Sequence, residues 1–191
     1  LVISRTGWSS ELGYEIFLRD GASGSALWDY LMDVGGPMGL KPGHTSSIRR
    51  IEAAMLSYHA DMTLKNNPFE LGMDRLVDLD MEIDFVSKAA LTRIRDEGVS
   101  QLQVGLVFDG APISGSNDEY WPVLVDGQKV GQVTSAVYSP RLEQNIALAL
   151  VAVAHAGIGT KAMIDMSGEP RGCEIVQKPF FDPKKAIAAK G

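Results

Sequence analysis

The chain has 191 residues, 45% hydrophobic and 22% charged, enough for a real core in one or two domains. Its net charge of −6 and pI near 5.0 come with no basic stripe for nucleic acid and no Lys/Arg-rich amphipathic helix for a membrane surface. The single cysteine, Cys173, excludes an internal disulfide and a thiolate metal cluster, and His44, His59 and His155 lack metal-ligand spacing.

The chain opens on a strand-like Leu1-Val2-Ile3, as though an upstream part of the polypeptide were missing. Leu12 to Leu18 is rich in apolar, β-branched and aromatic residues and predicts a strand, broken by Gly21 to Gly24. Ala26, Leu27, Tyr30, Leu31 and Val34 recur at helical spacing until Gly35-Gly36-Pro37 stops them. Thr45 or Ser46 caps a second predicted helix reaching about Leu56, with Ile48, Ile51, Ala54 and Met55 on one face and Arg49, Arg50 and Glu52 largely off it. Asn66-Asn67-Pro68 predicts a turn leading into a short helix through Met73, and Ser87 is expected to cap a helix over Lys88 to Glu97, ended by Gly98.

Beyond Val99 the texture changes. Leu102–Phe108, Trp121–Val125, Val130–Tyr138, Ile146–Val153, Ala162–Met166 and Glu174–Val176 predict short strands. Asp126-Gly127 marks a hairpin and Gly168-Glu169-Pro170 a turn. The fold class is therefore α+β: a mixed α/β front over residues 1–98 and an all-β barrel or sandwich over 99–191. Lys184 to Lys190 predicts a frayed or weakly helical end. The longest apolar run, Ile146 to Ala154, is only strand-sized, so no membrane partner is expected and a cytoplasmic location is.

Among residues that can carry chemistry, Glu15 comes first. It interrupts the apolar Tyr14, Ile16 and Phe17, and an unpaired buried charge is costly, so it either faces water or holds a partner with adjacent N–H donors. Trp8, in the preceding loop, stacks on a flat ligand, packs over a domain seam or is partly buried in the core. Arg49 and Arg50 pair with Asp61, Glu70 or a ligand carboxylate, or lie with Glu52 on a solvated helix face. Tyr58, His59 and Asp61 read as a polar loop, and Cys173 as a small buried apolar residue. No nucleophile-elbow, phosphate-loop or dinucleotide glycine motif is present.

Ser4-Arg5-Thr6-Gly7-Trp8-Ser9-Ser10-Glu11-Leu12-Gly13-Tyr14-Glu15-Ile16-Phe17 closely resembles the SRTGxxGExGYEIF segment of the folate-dependent aminomethyltransferase superfamily, the glycine-cleavage T-protein group. The likeness continues in register. Arg50 to Tyr58 is similar to LRLEAGMxLYG, Asn67 to Gly72 to TPxEAGL, and Asp84 to Leu91 to DFIGKxAL. Val133 to Pro140 with Asn145 to Ala149 is similar to VTSGxxSPxxxxNIALAxV, and Lys178 to Phe181 lies where that family ends in PFY.

The resemblance implies a partial folate-binding α/β domain of the T-protein fold followed by a small C-terminal antiparallel β-barrel. It implies tetrahydrofolate as cofactor, with Glu15 gripping the pterin ring and Trp8, Tyr14 and Arg50 completing the cofactor-binding set. The family's catalytic aspartate lies upstream of the residues matched, so no catalytic residue and no metal ligand is assigned here, and this stretch alone is expected to be inactive. The implied partners are a small-molecule methyl donor and the remaining N-terminal part of the same polypeptide, with a homodimer left open.

Departures from the T-protein pattern bear on the reaction. Ser46 stands where ARDxLRLE has its first, substrate-contacting arginine, Ala54 replaces the glycine of EAGM, and Trp8 replaces the usual tyrosine. The stretches from Pro42 to Tyr58 and from Asn66 to Lys88 look closer to the dimethylsulfoniopropionate demethylase branch, which moves a methyl group from a sulfonium to tetrahydrofolate. Folate-dependent methyl transfer of that type is the first expectation. The alternatives are the glycine-cleavage aminomethyltransferase, the folate-binding end of a dimethylglycine or sarcosine dehydrogenase, and a non-catalytic folate-binding relative.

Overall fold

The computed structural model describes residues 1–189. Strands β1 (Val2–Ser4) and β2 (Glu15–Phe17) form an antiparallel pair with Ser4 opposite Glu15 and Val2 opposite Phe17. The expected strand from Leu12 is shorter because Ser10 takes a positive φ of 58° and the chain stays irregular up to Glu15. Helix α1 (Gly24–Gly35) follows a 3₁₀ turn whose start is capped by Asp20, which accepts from the Ala22 N–H. Gly35 is needed where it stands, because a Cβ there would meet the Leu40 side chain at 2.5 Å. Neither β1, β2 nor α1 contains a buried residue, and Ile3, Tyr14, Phe17, Trp28 and Tyr30 are all exposed.

Helix α2 (Ser47–Glu52) is capped by Ser46, whose hydroxyl accepts from the Arg49 N–H. It ends well before Leu56. Ala54 adopts a left-handed φ of 54°, with the Met55 N–H on the Arg50 carbonyl at 2.7 Å and the Ala54 N–H on that of Ile51 at 2.9 Å. This is the crossed pair of bonds that closes a helix through a left-handed residue, a place that favours glycine. The expected helix from Pro68 to Met73 is absent. Asn67 Oδ1 instead accepts from the N–H groups of Phe69 and Glu70, and Gly72 turns the chain at a φ of 68°. Ser87 does precede α3 (Lys88–Glu97), but at a φ of 74° and without a side-chain cap, so it enters the helix through a tight backbone turn.

From Gln101 the chain forms a closed antiparallel barrel of β3 (Gln101–Phe108), β4 (Trp121–Val125), β5 (Gln128–Ser139), β6 (Gln144–Ala152), β7 (Lys161–Met166) and β8 (Glu169–Val176). The order is β3-β6-β5-β4-β7-β8, with β8 returning to β3. A barrel rather than a sandwich removes every edge strand. Asp126 and Gly127 both have positive φ, as a two-residue hairpin requires. At the other predicted turn Ser167 and Gly168 make the reversal, and Glu169 and Pro170 already belong to β8.

Alternate residues of the strands, including Leu106, Val123, Val133, Ala149 and Ile164, fill the barrel. On its outer wall Val137, Ile146 and Leu148 receive Ile51 of α2 in a second apolar cluster. α4 (Ala186–Ala189) supports a weakly helical end, and Lys190 lies outside the described residues. No helix among the described residues is long and apolar enough to cross a membrane.

Replacing Ala54 by glycine relieves the left-handed strain. The variant is expected to be more stable by about 0.5–1 kcal/mol, read as a rise in urea midpoint with unchanged slope.

Candidate functional site

Three pieces of chain meet where α2 leans on the barrel: the β1–β2 loop, α2 with the segment after it, and the irregular chain that follows β8. In the loop, the Thr6 hydroxyl donates to Glu15 Oε2 at 2.5 Å. Glu15 is exposed on β2, and strand alternation puts it on the same face as the exposed Phe17. Tyr14 is exposed beside it. Trp8 is 41% exposed, with its ring 5.5 Å from the Arg50 guanidinium carbon. This is a cation–π contact that holds the indole against α2.

Arg50 lies almost wholly inside the protein, not on a solvated face. It donates to Asp61 Oδ2 at 2.8 Å, to the Ser135 hydroxyl on β5 at 2.8 Å and to the Met55 carbonyl at 3.3 Å. Asp61 is 1% exposed, so the His59–Asp61 stretch is not simply a polar loop. Asp61 also accepts from the Ser57 N–H and from the Thr134 and Ser135 hydroxyls, the last two at 2.6 and 2.7 Å. Glu52 is equally buried and accepts from Ser139 at 2.6 Å and from Arg49 at 3.1 Å. Two carboxylates and one guanidinium are thus fully partnered where α2 meets β5, as buried charges require.

Beside this junction lies a cavity of about 650 Å³, bordered by Trp8, Met55, Leu56, Met73, Arg75 and Lys178, with Lys185 at its edge. Met55 and Lys185 also border a smaller hollow of about 260 Å³ lined by Thr6, Glu11 and Gly13. The combination of an indole, apolar walls and three cations suits a flat, partly apolar ligand bearing a carboxylate. Lys178 donates to Gln103 Oε1, and Gln103 Nε2 is buried without a partner among the described residues. Burial lowers the Lys178 ammonium pKa to about 8, against the opposing pull of Asp61. A separate cavity of about 620 Å³ on the barrel wall is lined by Asp109, Lys161 and Cys173, away from all of these residues. There burial raises the Cys173 thiol pKa to about 11, with Asp109 adding to the shift, which disfavours the thiolate.

Trp8 and Arg50 are therefore in contact, and Thr6 steadies Glu15. Of the partners the sequence offered to Arg50, the structure selects Asp61, while Glu11, Arg141, Thr134, Ser135 and Ser139 were missed. Each of those missed belongs to a contact between distant segments, for which the linear pattern offers no periodic signal.

The architecture, a closed antiparallel barrel preceded by a mixed segment of helices and strands, is that of a glycine cleavage T-protein, as three comparisons bear out. The sequence model described as the GCVT N-terminal domain matches residues 1–81, and that of the glycine cleavage T-protein C-terminal barrel domain matches residues 102–182. The aminomethyltransferase of Symbiobacterium thermophilum is 37% identical over 186 residues, 95% of this chain and 48% of the relative. The dimethylsulfoniopropionate demethylase DmdA of Ruegeria pomeroyi is 36% identical over 160 residues, 84% of this chain and 43% of the relative. The crystal structure of glycine cleavage system aminomethyltransferase T from Bartonella henselae superposes with a TM-score of 0.78 at 21% identity, over 95% of this chain and 50% of that one.

The chain belongs to the glycine cleavage T-protein family, and it spans about half the length of the curated relatives it matches.

Asp61→Ala strands the Arg50 charge inside the protein and is expected to cost about 3–5 kcal/mol of stability. Adding Arg50→Met to it should cost less than the sum of the two single changes. Lys178 gives a second test by linkage. Its folded pKa lies below the unfolded value, so the cost of burying its charge is full below pH 8 and is relieved as pH rises toward 10.5. Urea unfolding should show wild type gaining on Lys178→Met through that window, and a pH-independent difference would contradict it.

Proposed function

We propose that the full protein carrying this chain transfers a one-carbon unit to tetrahydrofolate, with aminomethyl transfer of the glycine-cleavage kind as the leading reading. The observation that carries it is Glu15: a carboxylate on a short strand, steadied by Thr6 through one oxygen and with lone pairs to spare for a second partner. A reduced pterin presents an amino group and a ring N–H side by side, and a carboxylate accepts both as a fork. The fit extends to the ring. Tyr14 and Phe17 leave apolar surface beside the acid, and the cavity under Trp8 offers Arg75, Lys178 and Lys185 to a carboxylate tail.

When bound, the pterin supplies the nitrogen that carries the one-carbon unit. This chain's residues then orient and shield. Glu15 sets the tilt of the ring, and Tyr14 and Trp8 cover apolar surface. Arg50 contributes indirectly, since its donors are spent on Asp61, Ser135 and Met55 while its flat face supports the indole. Orientation of this kind can lower a barrier by roughly 7–11 kcal/mol. The exposed apolar residues of β1, β2 and α1 form the face on which we place further polypeptide of the same protein, in line with relatives about twice as long.

The aminomethyl reading is supported by the aminomethyltransferases among the relatives, one of them, from Synechococcus sp. strain RCC307, 40% identical over 179 residues. One observation favours methyl transfer from a sulfonium instead. Ser46, aligned with an arginine that contacts substrate in aminomethyltransferases, is spent here on capping α2. Assays of the full protein with an aminomethyl-loaded lipoyl carrier and with dimethylsulfoniopropionate separate the two.

Glu15→Gln turns one acceptor of the fork into a donor facing a donor. Tetrahydrofolate binding by the full protein should weaken by about 1.5–3 kcal/mol, measured by titration calorimetry. Unchanged affinity would remove Glu15 from the site.

A further inference from the structure

The loop between β1 and β2 carries Trp8 and leads into Glu15, yet it contains no regular structure. Arginine side chains from α2 and from the barrel hold it. Arg50 backs the Trp8 ring, and Arg141 donates from Nη2 to Glu11 Oε1 at 2.7 Å across 130 residues of sequence. Arg141 stands in the turn between β5 and β6, so this bond runs from the barrel to the loop.

Arg141 does not act as an isolated surface charge. Its Nη1 lies 3.8 Å from Glu52 Oε2, and its guanidinium stacks on Phe181 at 3.9 Å from the ring centroid. Arg49 closes the circuit, 3.1 Å from Glu52 and 3.8 Å from Glu11. The charges alternate around the circuit: Glu11, Arg141, Glu52, Arg49. Phe181 is itself fixed, because its N–H donates to the Glu52 carbonyl at 3.0 Å. The planar guanidinium can serve Glu11, Glu52 and the Phe181 face together, which an ammonium cannot do equally well. The Arg141 side chain is only 25% exposed, so its charge is less screened than that of a freely solvated pair.

We propose that Arg141 is a positioning residue for the ligand-binding loop: through Glu11 it ties the segment bearing Trp8 and Glu15 to the barrel, so that the barrel sets how that segment meets the folate ring. This rests on the proposed folate site. It assigns the barrel a role in cofactor recognition without any barrel residue touching the pterin.

The test is a double-mutant cycle in the full protein, using Arg141→Met, which keeps alkyl packing on Phe181, and Glu11→Ala. Tetrahydrofolate binding is the readout, with Glu15→Gln as reference. Each single variant should weaken binding about tenfold, and the double variant no further than the weaker single, because both cut the same tie. Arg141→Lys should recover part of the loss. KM for folate should rise while kcat at saturating folate stays near wild type, with thermal midpoints little changed.

Wild-type affinity in both single variants, or losses that multiply in the double, would overturn the proposal. If Arg141→Met does not fold, Glu11→Ala with wild-type affinity is enough to overturn it. If Glu15→Gln also binds normally, the folate site itself fails; if Glu15→Gln alone weakens binding, only the role of Arg141 does.

Discussion

A guanidinium can lie inside a protein only when its charge and donors are satisfied, and at Arg50 that requirement organises the molecule. One arginine on the short helix α2 draws in Asp61 from the following loop, Ser135 from the barrel and the Met55 carbonyl just past the helix end. Asp61 in turn takes hydroxyls from Thr134 and Ser135. The contact is polar at its centre and apolar at its flank, where Ile51 packs on Val137, Ile146 and Leu148. Apolar burial supplies adhesion without direction; the hydrogen-bonded charges fix one seating of α2 on β5.

The β1–β2 loop inherits its position from that seating. Trp8 rests on the far face of Arg50, and Glu11 reaches the Arg141 circuit anchored on Glu52. Glu15, on an exposed three-residue strand, has little packing of its own to define it. The direction of the Glu15 carboxylate is set by the Thr6 hydroxyl and by the frame behind the loop. The cavity between Trp8 and Lys178 then has walls from the loop, the post-helix segment and the chain beyond β8.

Much of the barrel was legible because each strand announces itself with β-branched residues and turns of known chemistry, as at Asp126-Gly127. The errors fell where a local competitor won. α2 stopped early because Ala54 takes a left-handed turn, Asn67 diverted the N–H groups of a would-be helix, and Leu12 to Tyr14 were bent away from β2. Glu15 and Trp8 stood out as an acid and an indole in unusual surroundings. Arg50 stood out too, with Asp61 among its possible partners, but Ser135 beside it and Ser139 beside Glu52 did not, because they look like ordinary polar residues until the chain has folded.

The linear order of residues was enough to specify the α+β class, the barrel strands and the family to which the chain belongs, and to single out Glu15 as an acid in apolar surroundings, since these follow from periodicity, turn residues and short motifs. The strand pattern by itself left barrel and sandwich open and the family likeness pointed to the barrel, whereas tertiary structure alone decided the burial of Arg50, Asp61 and Glu52 and the tie from Arg141 to Glu11. Burial and long-range pairing depend on which surfaces meet in space, and residues 130 positions apart carry no mark in sequence of the charge they will share.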